Sequence, residues 1–126
     1  MRTVRASEDL ARLAPSRAAV GGWLGQRLSA VALLILVPWV VFSLATIGSA
    51  EPEALRAWVA HPGHATVLAG LFLAAYYHAA LGLEVVIQDY VHPEHLVALL
   101  ILGVRLAALA GALSAVAALV WLVTLP

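Results

Sequence analysis

Cysteine and lysine are both absent from this chain, methionine occurs once, at position 1, and charged residues make up only 11% of the 126 positions. Without cysteine the chain can form no disulfide, no thiolate metal site, no cysteine-ligated iron–sulfur cluster and no covalent c-type haem linkage. A redox cofactor held here would have to be bound by histidine or by packing alone. The shortage of charge also argues against a soluble domain. With 63% hydrophobic residues and a mean hydropathy of +0.98, the composition is that of a membrane protein. No nucleic-acid partner is expected at a formal net charge of zero.

What is present is apolar and long. Three stretches, 28–50, 65–83 and 106–126, contain no Asp, Glu, Lys or Arg. Each is near or above the ~20 residues that cross a hydrocarbon core of about 30 Å. With their flanks they predict transmembrane helices over 28–50, 65–91 and 95–125, in a single membrane domain spanning 1–126. Residues 1–22 are expected to be an extended or weakly helical cytoplasmic arm at the headgroups. A cleaved signal peptide ending at Gly48-Ser49-Ala50 fits less well, because the charged region before the first span runs to Arg27 and the apolar run is twice the usual length. Five of the seven basic residues (Arg2, Arg5, Arg12, Arg17, Arg27) precede that span. By the positive-inside rule this places the N-terminus in the cytoplasm. The expected fold is therefore all-α and integral to the membrane: three transmembrane helices in an antiparallel up-down-up bundle. Glu51-Pro52-Glu53 suits the start of a short helix with Pro52 in its first turn, Trp23, Trp58 and Trp121 suit interfacial anchors, and Pro93 marks the end of the second span.

Ionisable side chains inside such spans are costly and mark function by default. His78 lies near mid-membrane. Two readings of it stay open: a cross-helix hydrogen bond to a hydroxyl or carbonyl, or an axial ligand to haem iron. Gly82, one turn on, would let a flat macrocycle approach the backbone. His61, His64, His92 and His95 fall in the turns at either face and read as bystanders, so a second axial ligand would have to come from another chain. Asp89 returns to within about 20° of His78 on the helix surface, about 16 Å further along the axis. Asp89 and Tyr90 read most simply as a polar helix end. A phenol donor beside a carboxylate would also serve a quinone head group, by hydrogen bonding to its carbonyl and relaying a proton. Arg27 either snorkels to phosphates or pairs with an anionic group such as a haem propionate. Glu84 and Arg105 lie too deep to stay unpaired, and are expected to form a structural ion pair between spans two and three.

The pattern His78-x-x-x-Gly82, then Val86-Ile87-x-Asp89-Tyr90-Val91 and Pro93, together with Trp23-x-x-Gln26-Arg27-x-Ser29-Ala30, resembles the hydrophobic membrane anchors of succinate dehydrogenase (respiratory complex II). Of the two anchors in that complex, conventionally lettered C and D, it resembles the D anchor in particular. The likeness covers essentially the whole chain. It implies that His78 ligates haem b together with a histidine of the companion C anchor, that Arg27 lies near the haem propionates, and that Tyr90 with Asp89 helps form the ubiquinone site near the iron–sulfur subunit. It also implies a multi-pass protein of the bacterial inner membrane. In that complex the flavoprotein and iron–sulfur subunits carry succinate oxidation, and the resemblance implies that this chain is a non-catalytic subunit. The alternatives are the anchor of a quinol:fumarate reductase and a haem-free structural subunit. Glu84 and Arg105 lie outside the resemblance and inherit no role from it.

Overall fold

The computed structural model describes residues 17–48 and 51–124. They form four helices, α1 (Arg17–Ala45), α2 (Pro52–Ala60), α3 (Pro62–Tyr90) and α4 (Glu94–Thr124), with no strand among the described residues. Three of them, α1, α3 and α4, are long and apolar enough to cross a membrane. Their 29, 29 and 31 residues exceed by about half the ~20 that the hydrocarbon core requires.

The helix ends follow local chemistry. At the end of α1, Thr46 N–H reaches the carbonyl of Phe42 and Ile47 N–H that of Leu44. Gly48 then turns the chain at a φ of 71°, a conformation that glycine adopts without strain. Helix α2 begins as expected, with Pro52 in its first turn after Glu51. His61 alone separates α2 from α3: it ends the first and caps the second, its Nδ1 accepting from Gly63 N–H at 3.2 Å. Tyr90 ends α3, and Val91-His92-Pro93 lead directly into α4. Pro38 sits within α1 without breaking it, as proline can in a membrane helix.

Helix α1 starts earlier than expected. Residues 17–22, expected in an extended or weakly helical arm, are helical and continuous with it. Glycine is a poor helix former, yet adding turns to an existing long helix is cheap compared with nucleating one, so Gly21 and Gly22 do not stop it. The rest of the expected arm, residues 1–16, lies outside the described residues, as do Ser49 and Ala50.

Helix α3 is central. It packs against both α1 and α4, which do not pack against each other among the described residues, and α2 lies across α3 and α4. Partners run in opposite numerical order along each pair. Ser29, Leu36 and Val40 of α1 meet His78, Gly70 and Leu68 of α3; Arg105, Gly111 and Leu119 of α4 meet Glu84, Tyr76 and Leu68. One end of the assembly closes over a buried cluster of Val40, Leu68 and Leu119, with Trp58 and Val59 packed on it. The corner there is polar as well as aromatic. Trp58 Nε1–H donates to Ser43 Oγ at 3.0 Å, the His64 ring stacks on Trp58 at 4.4 Å, and His64 Nδ1–H donates to the Trp58 carbonyl at 2.8 Å. His64 is therefore half-buried structural material and not the exposed turn residue expected from the sequence.

Most large apolar side chains face outward, among them Leu34 (74% exposed) and Phe42 (73%). A surface this apolar suits lipid or a neighbouring subunit.

Candidate functional site

His78 projects from the middle of α3 toward α1. Its Nδ1 lies 3.0 Å from Ser29 Oγ and its Nε2 3.4 Å from the Gln26 side-chain nitrogen. Gln26 and Ser29 are three residues apart, so both fall on one face of α1. Ser29 is buried, and its hydroxyl lies within reach of the carbonyls of Gly25 at 2.8 Å and Gln26 at 3.1 Å. The amide oxygen of Gln26 is buried without a partner. Thus a single imidazole, two polar side chains and one orphaned acceptor meet inside an otherwise apolar interface.

The other residues singled out from sequence are not gathered around His78. Gly82 sits against Gln26, where an added Cβ would meet the amide nitrogen at 3.7 Å, an ordinary van der Waals contact. The exposed guanidinium of Arg27 stacks on Trp23, 4.8 Å from the ring centroid. Asp89 and Tyr90 are exposed at the end of α3, Tyr90 by 78%, and neither side chain makes a hydrogen bond to the described residues. His61, His92 and His95 are exposed. No group of three or more His, Cys, Asp or Glu among the described residues could enclose a metal ion.

The expected ion pair forms. Arg105 donates from Nε and Nη2 to the two carboxylate oxygens of Glu84, both at 2.7 Å. Such a two-pronged bond fixes the register of α4 on α3. The pair borders a cleft of about 1010 Å³ between α1 and α4, floored by α3 and lined in part by Trp23, Gln26, Tyr76, Tyr77 and Gln88. Two glycines hold its walls close to the floor. A Cβ at Gly25 would collide with the Tyr77 hydroxyl, and one at Gly111 with the edge of the Tyr76 ring.

The roles of Ser29, Gln26, Tyr76 and Tyr77 were not read from the sequence. For the first two a signal existed: two polar residues on one face of an apolar span need a polar partner, and His78 is the ionisable residue nearest the middle of a neighbouring span. The tyrosines gave none, because their fit depends on how the helices cross.

These features define a class: an all-helical protein with three membrane-crossing helices, a lone imidazole at mid-span and an apolar exterior. A family model for the succinate dehydrogenase/fumarate reductase transmembrane subunit matches residues 3–125. The chain belongs to that family. No curated protein and no solved structure matches it.

Proposed function

We propose that the protein is a membrane anchor of succinate dehydrogenase, of the D type, in which His78 provides one axial ligand to haem b and the companion C anchor provides the other. The observation that carries this reading is the solitary, half-buried His78, held by Ser29 at the α1–α3 interface, in a chain of this family. The donor set suits such a site. A neutral imidazole anchored through one nitrogen leaves the other for iron, and the Gln26 oxygen beside it is buried with no partner among the described residues. When bound, haem supplies a one-electron carrier inside the membrane. In the proposed site Gly82 packs beside it and Arg27 pairs with a propionate.

Tyr90 and Asp89 take the second role. Ubiquinone, as substrate, accepts two electrons and two protons. The Tyr90 hydroxyl donates a hydrogen bond to a quinone carbonyl, and the Asp89 carboxylate orients that hydroxyl or passes a proton. The electrons come from succinate through the flavoprotein and iron–sulfur subunits. The opposed pairing of α1 with α3 and of α3 with α4 supports an up-down-up arrangement of one domain in the bacterial inner membrane. The arginines before the first span support a cytoplasmic N-terminus, with Asp89 and Tyr90 at that same face.

A second reading also has an observation behind it. Ser29 and Gln26 satisfy His78 across the helix pair, as a haem-free structural subunit would require. A reduced-minus-oxidised absorption spectrum of the purified complex separates the two: a b-type signal lost in His78→Ala supports the haem reading, and its absence from the native complex removes it. Succinate-driven quinone reduction, compared with quinol-driven fumarate reduction, distinguishes the proposed complex from a fumarate reductase.

A further inference from the structure

We propose that Ser29 is the positioning residue of His78, fixing the tautomer in which Nδ1 carries the proton and Nε2 the lone pair, and that the Gln26 amide is a removable cap on Nε2. This rests on the reading of His78 as a haem ligand and extends it to which nitrogen binds iron and what prepares it.

The argument is one of hydrogen-bond satisfaction. Ser29 has one hydroxyl hydrogen. Its oxygen lies 2.8 Å from the Gly25 carbonyl and 3.1 Å from that of Gln26, the usual back-bond of a serine in a membrane helix. With the hydrogen committed there, the serine lone pairs face His78 Nδ1 at 3.0 Å and must accept from Nδ1–H. The imidazole is then neutral with its lone pair on Nε2, where the Gln26 side-chain N–H donates at 3.4 Å. Two groups are left over, the buried Gln26 oxygen and the second N–H of the same amide, one fewer unpaired donor than the opposite assignment leaves. The opposite assignment turns the amide over so that Nε2–H donates to the Gln26 oxygen, and draws the serine hydrogen toward Nδ1. It strips Ser29 of its 2.8 Å back-bond and leaves both amide N–H groups of Gln26 buried without acceptors. Orphaned buried donors are rarer than under-used carbonyl oxygens, so the first network stands.

The two partners then differ in kind. Ser29 holds the nitrogen that does not bind iron, the relation seen when a second-shell acceptor orients a metal-bound histidine and raises its basicity. Gln26 occupies the nitrogen that does. Its bond is long and its oxygen is unsatisfied, so it is weakly held, and it borders the cleft between α1 and α4, which has room for the displaced amide.

The test uses the assembled complex carrying Ser29→Ala, Ser29→Thr or Gln26→Ala. Retention of haem, haemin uptake by the haem-depleted complex and the haem midpoint potential are measured, with 15N NMR of labelled histidine in the haem-depleted wild-type, Ser29→Ala and His78→Ala complexes. Ser29→Ala should weaken haem binding about 10–100-fold, the usual cost of losing such a partner, and raise the potential because the imidazole becomes a poorer donor. Ser29→Thr, which keeps the hydroxyl, should restore both. Gln26→Ala should bind haemin at least as tightly as wild type. NMR should show the Nδ1–H tautomer for the resonance missing in His78→Ala. A wild-type complex with no b-type spectrum would overturn the ligand reading and this proposal with it. A wild-type haem signal with unchanged potential and retention in Ser29→Ala, or an Nε2–H tautomer at His78, would overturn the positioning proposal alone. Loss of haem in Gln26→Ala would overturn the cap.

Discussion

Adding one methyl group at Gly111 should damage the α3–α4 contact, and a single atom deleted from Tyr76 should not repair it. A Cβ at Gly111 would lie 2.6 Å from Tyr76 Cζ and 3.0 Å from its hydroxyl oxygen, with Cε1 closer still. Carbon atoms prefer about 3.5–4.0 Å, so the ring has to retreat by about 1 Å. Overpacking of this kind costs about 1–3 kcal/mol, roughly a 5- to 140-fold loss at about 1.4 kcal/mol per decade. Gly25 offers the control. There the closest atom is the Tyr77 hydroxyl oxygen, with Leu81 Cδ1 and Tyr77 Cε1 next at 3.2 Å. Tyr77→Phe removes the offending oxygen, and the remaining contacts need a shift of only a few tenths of an ångström. Gly25→Ala should therefore be largely repaired by Tyr77→Phe, whereas Gly111→Ala should persist with Tyr76→Phe and yield only to a smaller residue such as Tyr76→Leu. Because unfolding of a membrane complex is irreversible, the assay is the half-life of the detergent-solubilised complex at fixed temperature, followed by loss of quinone reductase activity. A Gly111→Ala complex as long-lived as wild type, or one rescued by Tyr76→Phe, would refute the packing argument.

Glu84→Gln and Arg105→Gln should each lower the yield of assembled complex, with Glu84→Gln the worse because an isolated arginine cannot shed its charge as a carboxylic acid can; the double variant should lose less than the sum, and additive losses in a double-mutant cycle would dissolve the pair. Tyr90→Phe should slow quinone reduction while leaving assembly and the haem spectrum intact, and unchanged steady-state activity would remove Tyr90 from the site. Reporter fusions after Pro126 should read as periplasmic; a cytoplasmic signal would invert the proposed topology and move Asp89 and Tyr90 to the other face.

Much of this was legible because a membrane span tolerates so few polar atoms. An ionisable residue inside an apolar helix announces itself, and so His78, Glu84 and Arg105 could be picked out, and the last two paired, from the chain alone. Prolines gave the breaks: Pro52 and Pro93 sit where helices begin or end. The failures are equally physical. Where a helix starts depends on the cooperativity of the turns after it, so Gly21-Gly22 suggested an arm where α1 in fact runs on from Arg17. His64 was read as exposed from its turn-like neighbours, but its burial comes from Trp58, on a different helix. A serine in a span reads as back-bonded and inert. That Ser29 also faces His78 depends on the register of α1 against α3, which no periodicity within one helix contains.

The two proposed sites differ in how much this chain prepares them. His78 is clamped by its own chain: Ser29 and Gln26 hold both ring nitrogens before any cofactor or partner arrives. Tyr90 is not; it stands 78% exposed at the end of α3, on the same side as the half-exposed Leu83 and Val86, which the helix repeat brings into line. Catalytic geometry requires side chains locked by packing and by further hydrogen bonds. In the proposed complex that locking of Tyr90 and Asp89 has to come from the neighbouring subunits. Substitutions around His78 should therefore act through this chain alone and be felt even in a haem-free preparation. Those at Asp89 and Tyr90 should have no effect until the complex assembles, because only then does their surrounding site exist.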